Sequence, residues 1–255
     1  MPIRTKVLHL IAEHKYLSVY DLANLIPVIN AKPDNHRRRF QFVLTRLWKN
    51  RVLNRKINVK DFEIAEGFVP FNWMYWLSDK GAKMLQARTN TEKSPYSLPH
   101  EQDISRAHLA FSKLEGRELY WRQDDLKHTI HPDALIGLSN PNLPEDESTT
   151  YFFLEIERSK QGHYREGKSG LIMKLLRFQN YRKTTKCVQE WGFDNFYVLL
   201  VLKNEERRQN LLSKLRTILP YRTYMLTTQD LVNNINGKIW LSPKDSTPYS
   251  LLEIS

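Results

Sequence analysis

Apolar residues near the start of the chain fall at Ile3, Val7, Leu10 and Ile11, the spacing of one helix face, so residues 3–14 are a predicted helix. After Tyr16-Leu17, Ser18 is placed to cap a second helix carrying Val19, Leu22, Leu25 and Ile26. Pro27 and Pro33 bracket a turn, and Asp34 or Asn35 can cap a third helix. Its inner stripe reads Phe40, Val43, Leu44, Leu47 and Trp48, with Arg37, Arg38, Gln41, Thr45 and Lys49 largely outside it. Val52-Leu53-Asn54-Arg55-Lys56-Ile57 and Trp73-Met74-Tyr75-Trp76-Leu77 are strand-like, and Ser78-Asp79-Lys80-Gly81 opens a closing helix. Residues 89–99 are polar with two prolines and read as a linker. Beyond it the pattern predicts a helix (100–115) and strands at 117–122, 128–138 and 151–157. A helix (168–183), a strand (196–202), a helix (204–218), a strand (221–227) and an irregular tail follow. This is a mixed α/β chain (α+β) of two domains, 1–88 and 100–255, each long enough for its own core.

Charge sharpens the division. The net charge is +11, yet residues 1–60 hold thirteen Lys/Arg against Glu13, Asp21 and Asp34, so almost all the excess lies in the first quarter. That is the electrostatic footprint of a nucleic-acid-binding module; a solvated basic face is the plainer alternative. Cys187 is alone, which excludes a disulfide framework and a thiolate zinc cluster and points to a reducing, cytoplasmic setting. No stretch approaches the roughly 20 apolar residues of a membrane span, and the N-terminus is amphipathic, without a signal-peptide block.

Two acidic motifs stand in apolar, β-prone sequence: His131-Pro132-Asp133, and Glu155-Ile156-Glu157 after Tyr151-Phe152-Phe153-Leu154. Unpaired buried charge is costly, so packing alone does not account for them. Strand alternation puts Glu155 and Glu157 on one face, and an antiparallel hairpin closing over the Pro- and Asn-rich loop 139–148 brings Asp133 to them. Three carboxylates at one sheet end repel unless a divalent cation neutralises them, which suggests a metal site for phosphodiester chemistry. His131 falls on the Asp133 face, as a general base or ligand, or as a satisfied strand histidine.

The order of short helix, Ser-capped helix, basic helix, Leu-x-Arg and Tyr-Trp-Leu-Ser-x-x-Gly resembles the winged helix-turn-helix family over residues 1–88. That resemblance implies a third helix in the major groove, with Arg37, Arg38, Gln41 and Thr45 as DNA contacts; a winged helix used for protein contacts is the alternative. Residues 100–255 resemble the PD-(D/E)xK nuclease core, in which Asp133 and Glu155 would bind one or two Mg²⁺ ions. Glu157 stands where that family has lysine. It is either a third acidic ligand or the mark of a lysine displaced to Lys174 or Lys168; a degenerate, inactive fold also accounts for it. The winged helix joined to His-Pro-Asp-Ala-Leu-Ile, Phe-Leu-Glu-Ile-Glu-Arg and a helix with Lys and Tyr looks like the replication-relaxation family, with its MobC-class conjugative relaxases. This implies Mg²⁺- or Mn²⁺-dependent nicking of double-stranded plasmid DNA at an origin of transfer or replication, with other relaxosome proteins as partners. The same core often takes a polar group from its first helix, here Glu101 or His100. Tyr164 and Tyr181 are candidate covalent nucleophiles, with a metal-activated water as the alternative.

One motif competes. Gly162-His163-Tyr164-Arg165-Glu166-Gly167-Lys168-Ser169 satisfies the P-loop pattern. Its bulky interior residues suit a phosphate-wrapping loop poorly, and the strand Phe196–Leu202 ends in Lys203-Asn204, without a Walker B carboxylate. A basic loop gripping DNA phosphate accounts equally for Arg158, Lys160, Arg165 and Lys168. A non-catalytic DNA-binding regulator of plasmid replication is the rival of another class.

Overall fold

In the computed structural model, which describes residues 2–26, 33–57, 73–87, 97–123, 128–144, 148–157, 170–245 and 247–254, the first apolar stripe forms α1 (Ile3–His14) and buries Val7, Leu8 and Ile11. A two-residue strand, β1 (Leu17–Ser18), leads into α2 (Val19–Leu25). Ser18 and Asp21 form a full capping box: Ser18 Oγ accepts the Asp21 N–H at 3.2 Å, and the Ser18 N–H donates to Asp21 Oδ2 at 2.8 Å. Helix α3 (Pro33–Lys49) begins at Pro33, ahead of the Asp34 or Asn35 cap, because proline's fixed φ suits a first turn. Phe40, Leu44 and Leu47 are buried on its inner face. Trp48, expected there too, lies at the edge of that face, 36% exposed. Arg55 explains the difference: its guanidinium stands 3.4 Å from the Trp48 ring centroid and 4.2 Å from that of Trp73.

Strands β2 (Leu53–Ile57) and β3 (Trp73–Leu77) pair antiparallel with Leu53 opposite Leu77, and β1 joins the other edge of β3. Helix α4 (Asp79–Leu85) follows, capped by Ser78 Oγ on the Gly81 N–H at 3.1 Å. A Cβ on Gly81 would lie 2.2 Å from the carbonyl oxygen of Val52, so only glycine permits this approach.

The chain divides into two compact units, Met1–Leu109 and Ala110–Ser255, and the division falls inside α5 (Leu98–Phe111). Most of α5 therefore belongs to the first unit. Arg106 Nε donates to Asp21 Oδ1 at 3.1 Å, Gln102 to Asp21 Oδ2 at 3.3 Å, and Ser105 Oγ to the His14 carbonyl at 2.5 Å. Of the stretch expected to link the domains, residues 89–96 lie outside the described residues.

His14 and His108 meet in this unit, both nearly buried, with their Nδ1 atoms 3.1 Å apart. Burial lowers the pKa of His14 from 6.5 to about 4; burial, with the charges of His14 and Lys15, lowers that of His108 to about 3. Both imidazoles are neutral in the folded state and take up protons near pH 6.5 once unfolded. The stability they contribute is complete above pH 6.5, erodes as pH falls, and is gone below their folded values. Each tenfold shift in proton affinity is worth about 1.4 kcal/mol. Acid titration with a chelator present, followed by urea unfolding, is expected to show this loss between pH 6.5 and 4, and His14→Gln/His108→Gln to flatten it. Equal slopes in the two proteins would refute the assignment.

Among the described residues the second unit holds one seven-stranded sheet. In chain order its elements are β4 (Glu118–Arg122), β5 (Ala134–Ser139), β6 (Thr149–Glu157), α6 (Leu171–Arg182), α7 (Lys186–Trp191), β7 (Tyr197–Leu202), α8 (Glu205–Ile218), β8 (Tyr224–Thr228), β9 (Trp240–Leu241) and β10 (Pro248–Tyr249). Spatial order runs β10-β9-β8-β7-β6-β5-β4. Pairs from β4 to β6 are antiparallel, β6-β7 and β7-β8 are parallel with helical crossovers, and β9 and β10 close the far edge antiparallel. Strand β6 thus joins the two halves of the sheet. Leu171, Leu175 and Phe178 of α6 and Leu211, Leu212 and Leu215 of α8 pack on the face formed by Phe153, Val198, Leu200 and Leu226.

The strand expected over 128–138 begins only at Ala134. Pro132 has no N–H for a ladder, and Thr129 is drawn to α7, its N–H donating to Glu190 Oε2 at 2.8 Å. The tail is more ordered than its sequence suggests, through β9 and β10. No helix among the described residues is long and apolar enough to cross a membrane.

Candidate functional site

Asp133 stands immediately before β5, beside the Ala134–Leu154 pair. Its N–H donates to the Leu154 carbonyl at 2.9 Å, and its Oδ2 accepts the Ile156 N–H at 2.7 Å. The carboxylate is thereby fixed against β6 between the two acids of Glu155-Ile156-Glu157. Alternation along β6 places Glu155 on the same face as Phe153, and its neighbour on β7 is Leu200. That face is the one α6 covers, so Glu155 is driven into the core and its side chain is 5% exposed. Lys174 of α6, in the turn between Leu171 and Leu175, donates from Nζ to Glu155 Oε2.

The two partners differ in exposure. Lys174 keeps 37% of its side chain open, enough for the cation to meet an incoming anion. Burial, with the Asp133 charge next, holds the Glu155 carboxyl well above the usual carboxylate range; Lys174 pulls it down and the Glu157 charge adds to the rise. For Lys174, burial lowers proton affinity, but the Glu155, Asp133 and Glu157 charges outweigh it and raise the ammonium. The lysine is therefore the secure charge of the pair. Glu155 Oε1 is buried with no hydrogen-bond partner among the described residues, an arrangement that costs about 1–3 kcal/mol or more unless something else uses the oxygen.

A hard divalent cation fits this donor set in kind. All the donors are oxygens, one buried carboxylate oxygen is orphaned, and Asp133 and Glu157 add negative charge around it. The spacing is not that of a closed cage. Among the described residues the one group of three whose ligand atoms lie within 4.8 Å of one another is Glu13, His14 and His108; Asp133, Glu155 and Glu157 do not form such a group. The physical reason is that Asp133 is committed to a backbone N–H and Glu155 to Lys174.

His131 is exposed, two residues before Asp133. His100 and Glu101 lie in the first turn of α5, in the other unit. Tyr181 is poorly disposed to attack: it is 4% exposed, its hydroxyl donates to Glu190 Oε2 at 2.8 Å, and burial with that bond raises its pKa. Lys168, Tyr164 and the whole Gly162–Ser169 motif lie outside the described residues, as do Arg158, Lys160 and Arg165.

On α3, Arg37, Arg38 and Gln41 are exposed and Thr45 is half-buried. The Arg37 guanidinium rests 4.8 Å from the centroid of the Tyr20 ring of α2. Phe42 stands among them at 69% exposure, an apolar side chain that the stripe reading passed over.

The chain matches no protein-family model, and comparison with curated proteins and with solved structures gives no significant match. What the site can do therefore rests on its own residues. Sequence reasoning missed Glu190, which gathers Thr129, Tyr181 and His128 beneath the segment leading to Asp133. No local spacing betrays that cluster, because its members come from the loop, α6 and α7.

Proposed function

We propose that this protein is a DNA-nicking endonuclease, related to the replication-relaxation and MobC-class relaxases. In this reading the first unit is a winged helix that selects a plasmid origin of transfer or replication, and the second is a PD-(D/E)xK-like nuclease core. The observation that carries it is the junction of three charges: the backbone-anchored Asp133, the buried Glu155 and the partly open Lys174. Packing has no use for such a set at the end of an otherwise apolar strand.

Asp133, Glu155 and Glu157 would hold Mg²⁺ or Mn²⁺, which supplies an acidified water and neutralises charge on the phosphate. The Lys174 ammonium would steady the scissile phosphate or orient the water, much as an electrostatic clamp does. Arg37, Arg38, Gln41 and Thr45 read the duplex from α3, and Phe42 suits apolar contact with a thymine methyl. Cytoplasmic double-stranded plasmid DNA is the partner this requires, with other relaxosome proteins alongside.

One observation favours a second reading. Asp133 Oδ2 is taken by a backbone N–H and Glu155 Oε2 by Lys174, and the carboxylates do not converge on one point, as in a decayed nuclease kept as a DNA-binding regulator of replication. Nicking of supercoiled plasmid bearing the cognate origin separates the two. With Mg²⁺ or Mn²⁺, wild type is expected to produce open circles and Asp133→Ala none, while both bind the origin equally. Intact plasmid from wild type despite origin binding would establish the regulator.

A further inference from the structure

We propose that His14, His108 and Glu13 form a metal site in the first unit, separate from the carboxylates of the second and suited to a divalent transition ion of the zinc type. His14 is the last residue of α1, and its carbonyl oxygen accepts Ser105 Oγ at 2.5 Å. His108 follows Ser105 by one turn on α5, so this bond fixes both imidazoles relative to each other. Their Nδ1 atoms are 3.1 Å apart, with ring centroids at 4.5 Å and planes inclined by 60°. Two imidazole nitrogens bound tetrahedrally to zinc at about 2.0–2.1 Å stand about 3.3–3.4 Å from each other. The pair is thus within a few tenths of an ångström of a chelating separation.

Glu13 completes the set. One ligand atom from each of the three residues lies within 4.8 Å of the others. The Glu13 side chain is 55% exposed while that of His14 is 3%, so the cluster opens to solvent on the Glu13 side. An ion and a water ligand can enter there. Two imidazoles, a carboxylate and a water are a familiar zinc set, and imidazole discriminates against Mg²⁺ and Ca²⁺. Ligation through both Nδ1 atoms sends the one ring proton shared between them to an Nε2. The ion ties the end of α1 to α5 and stabilises the first unit by mass action.

The test uses the full chain after chelator treatment, with Co²⁺ as a spectroscopic probe and Zn²⁺ as competitor. One Co²⁺ per chain is expected, with visible bands of tetrahedral nitrogen and oxygen ligation that Zn²⁺ abolishes. His108→Gln should eliminate these bands. Glu13→Gln, at an exposed position that does not threaten folding, should weaken binding by about tenfold or more. Asp133→Ala should bind as wild type does, which keeps the site apart from the nuclease reading. Absence of stoichiometric Co²⁺ binding overturns the proposal, and so does wild-type affinity in Glu13→Gln, whether or not His108→Gln folds.

Discussion

Methionine in place of Lys174 is expected to reduce nicking by about a hundredfold or more, with origin binding unchanged. The substitution keeps the length and most of the packing of the side chain between Leu171 and Leu175 but removes the ammonium from Glu155. Removing one preorganised donor aimed at transition-state charge typically costs about 10²–10³ in rate. Stability should fall by less than the roughly 3–5 kcal/mol of an abandoned buried charge. Glu155 already has a raised proton affinity through burial and the Asp133 charge, so the carboxyl can take up a proton and become neutral. Single-turnover nicking beside urea unfolding of the same protein checks both halves. A Lys174→Met protein that nicks at the wild-type rate would reduce the lysine to a structural counter-ion.

Phe153→Ala is expected to destabilise the second unit by about 3–5 kcal/mol, a large part of the roughly 5–15 kcal/mol that holds a domain folded. Phe153 is fully buried, and its ring centroid lies 4.6 Å from Phe196, 5.3 Å from Trp191, 5.7 Å from Phe178 and 5.9 Å from Phe193. Truncation removes the centre of an aromatic cluster drawn from β6, α6, α7 and the approach to β7. The surrounding rings are too rigid to close the void. Urea unfolding followed by tryptophan fluorescence reads the loss directly, since Trp191 is one of the neighbours. A change below about 1 kcal/mol would mean that the cluster repacks, against the usual cost of a phenylalanine cavity.

Much of the site was legible because it lies on one strand with strict alternation. Tyr151, Phe153, Glu155 and Glu157 announce a face, whereas the partner strand, expected from residue 128, starts only at Ala134 because Pro132 lacks an N–H and Thr129 is bonded to Glu190. Lys174 was readable as a helix position, though not its choice of Glu155 Oε2. The chain from Thr129 to Glu190 was illegible for the opposite reason: 61 residues separate those partners, and no periodicity connects them. His14 and His108 are 94 residues apart and each reads locally as an ordinary core histidine. Trp48 sits on the apolar stripe by spacing, yet Arg55, on the following strand, draws it to the edge. Helix periodicity does not encode such cross-element stacking.

The position of Lys174 on α6 has a consequence for how the second unit folds. Strands β5 and β6 are joined by the short connection 140–148, so they are the local pair and can form early. Forming them sets Asp133 against Glu155 before any cation is at hand. The ammonium that relieves the repulsion lies 19 residues beyond Glu155 and arrives only when α6 settles on the sheet. The residues proposed for the chemistry are thus a point of local frustration, working against the hairpin that carries them until the helix docks.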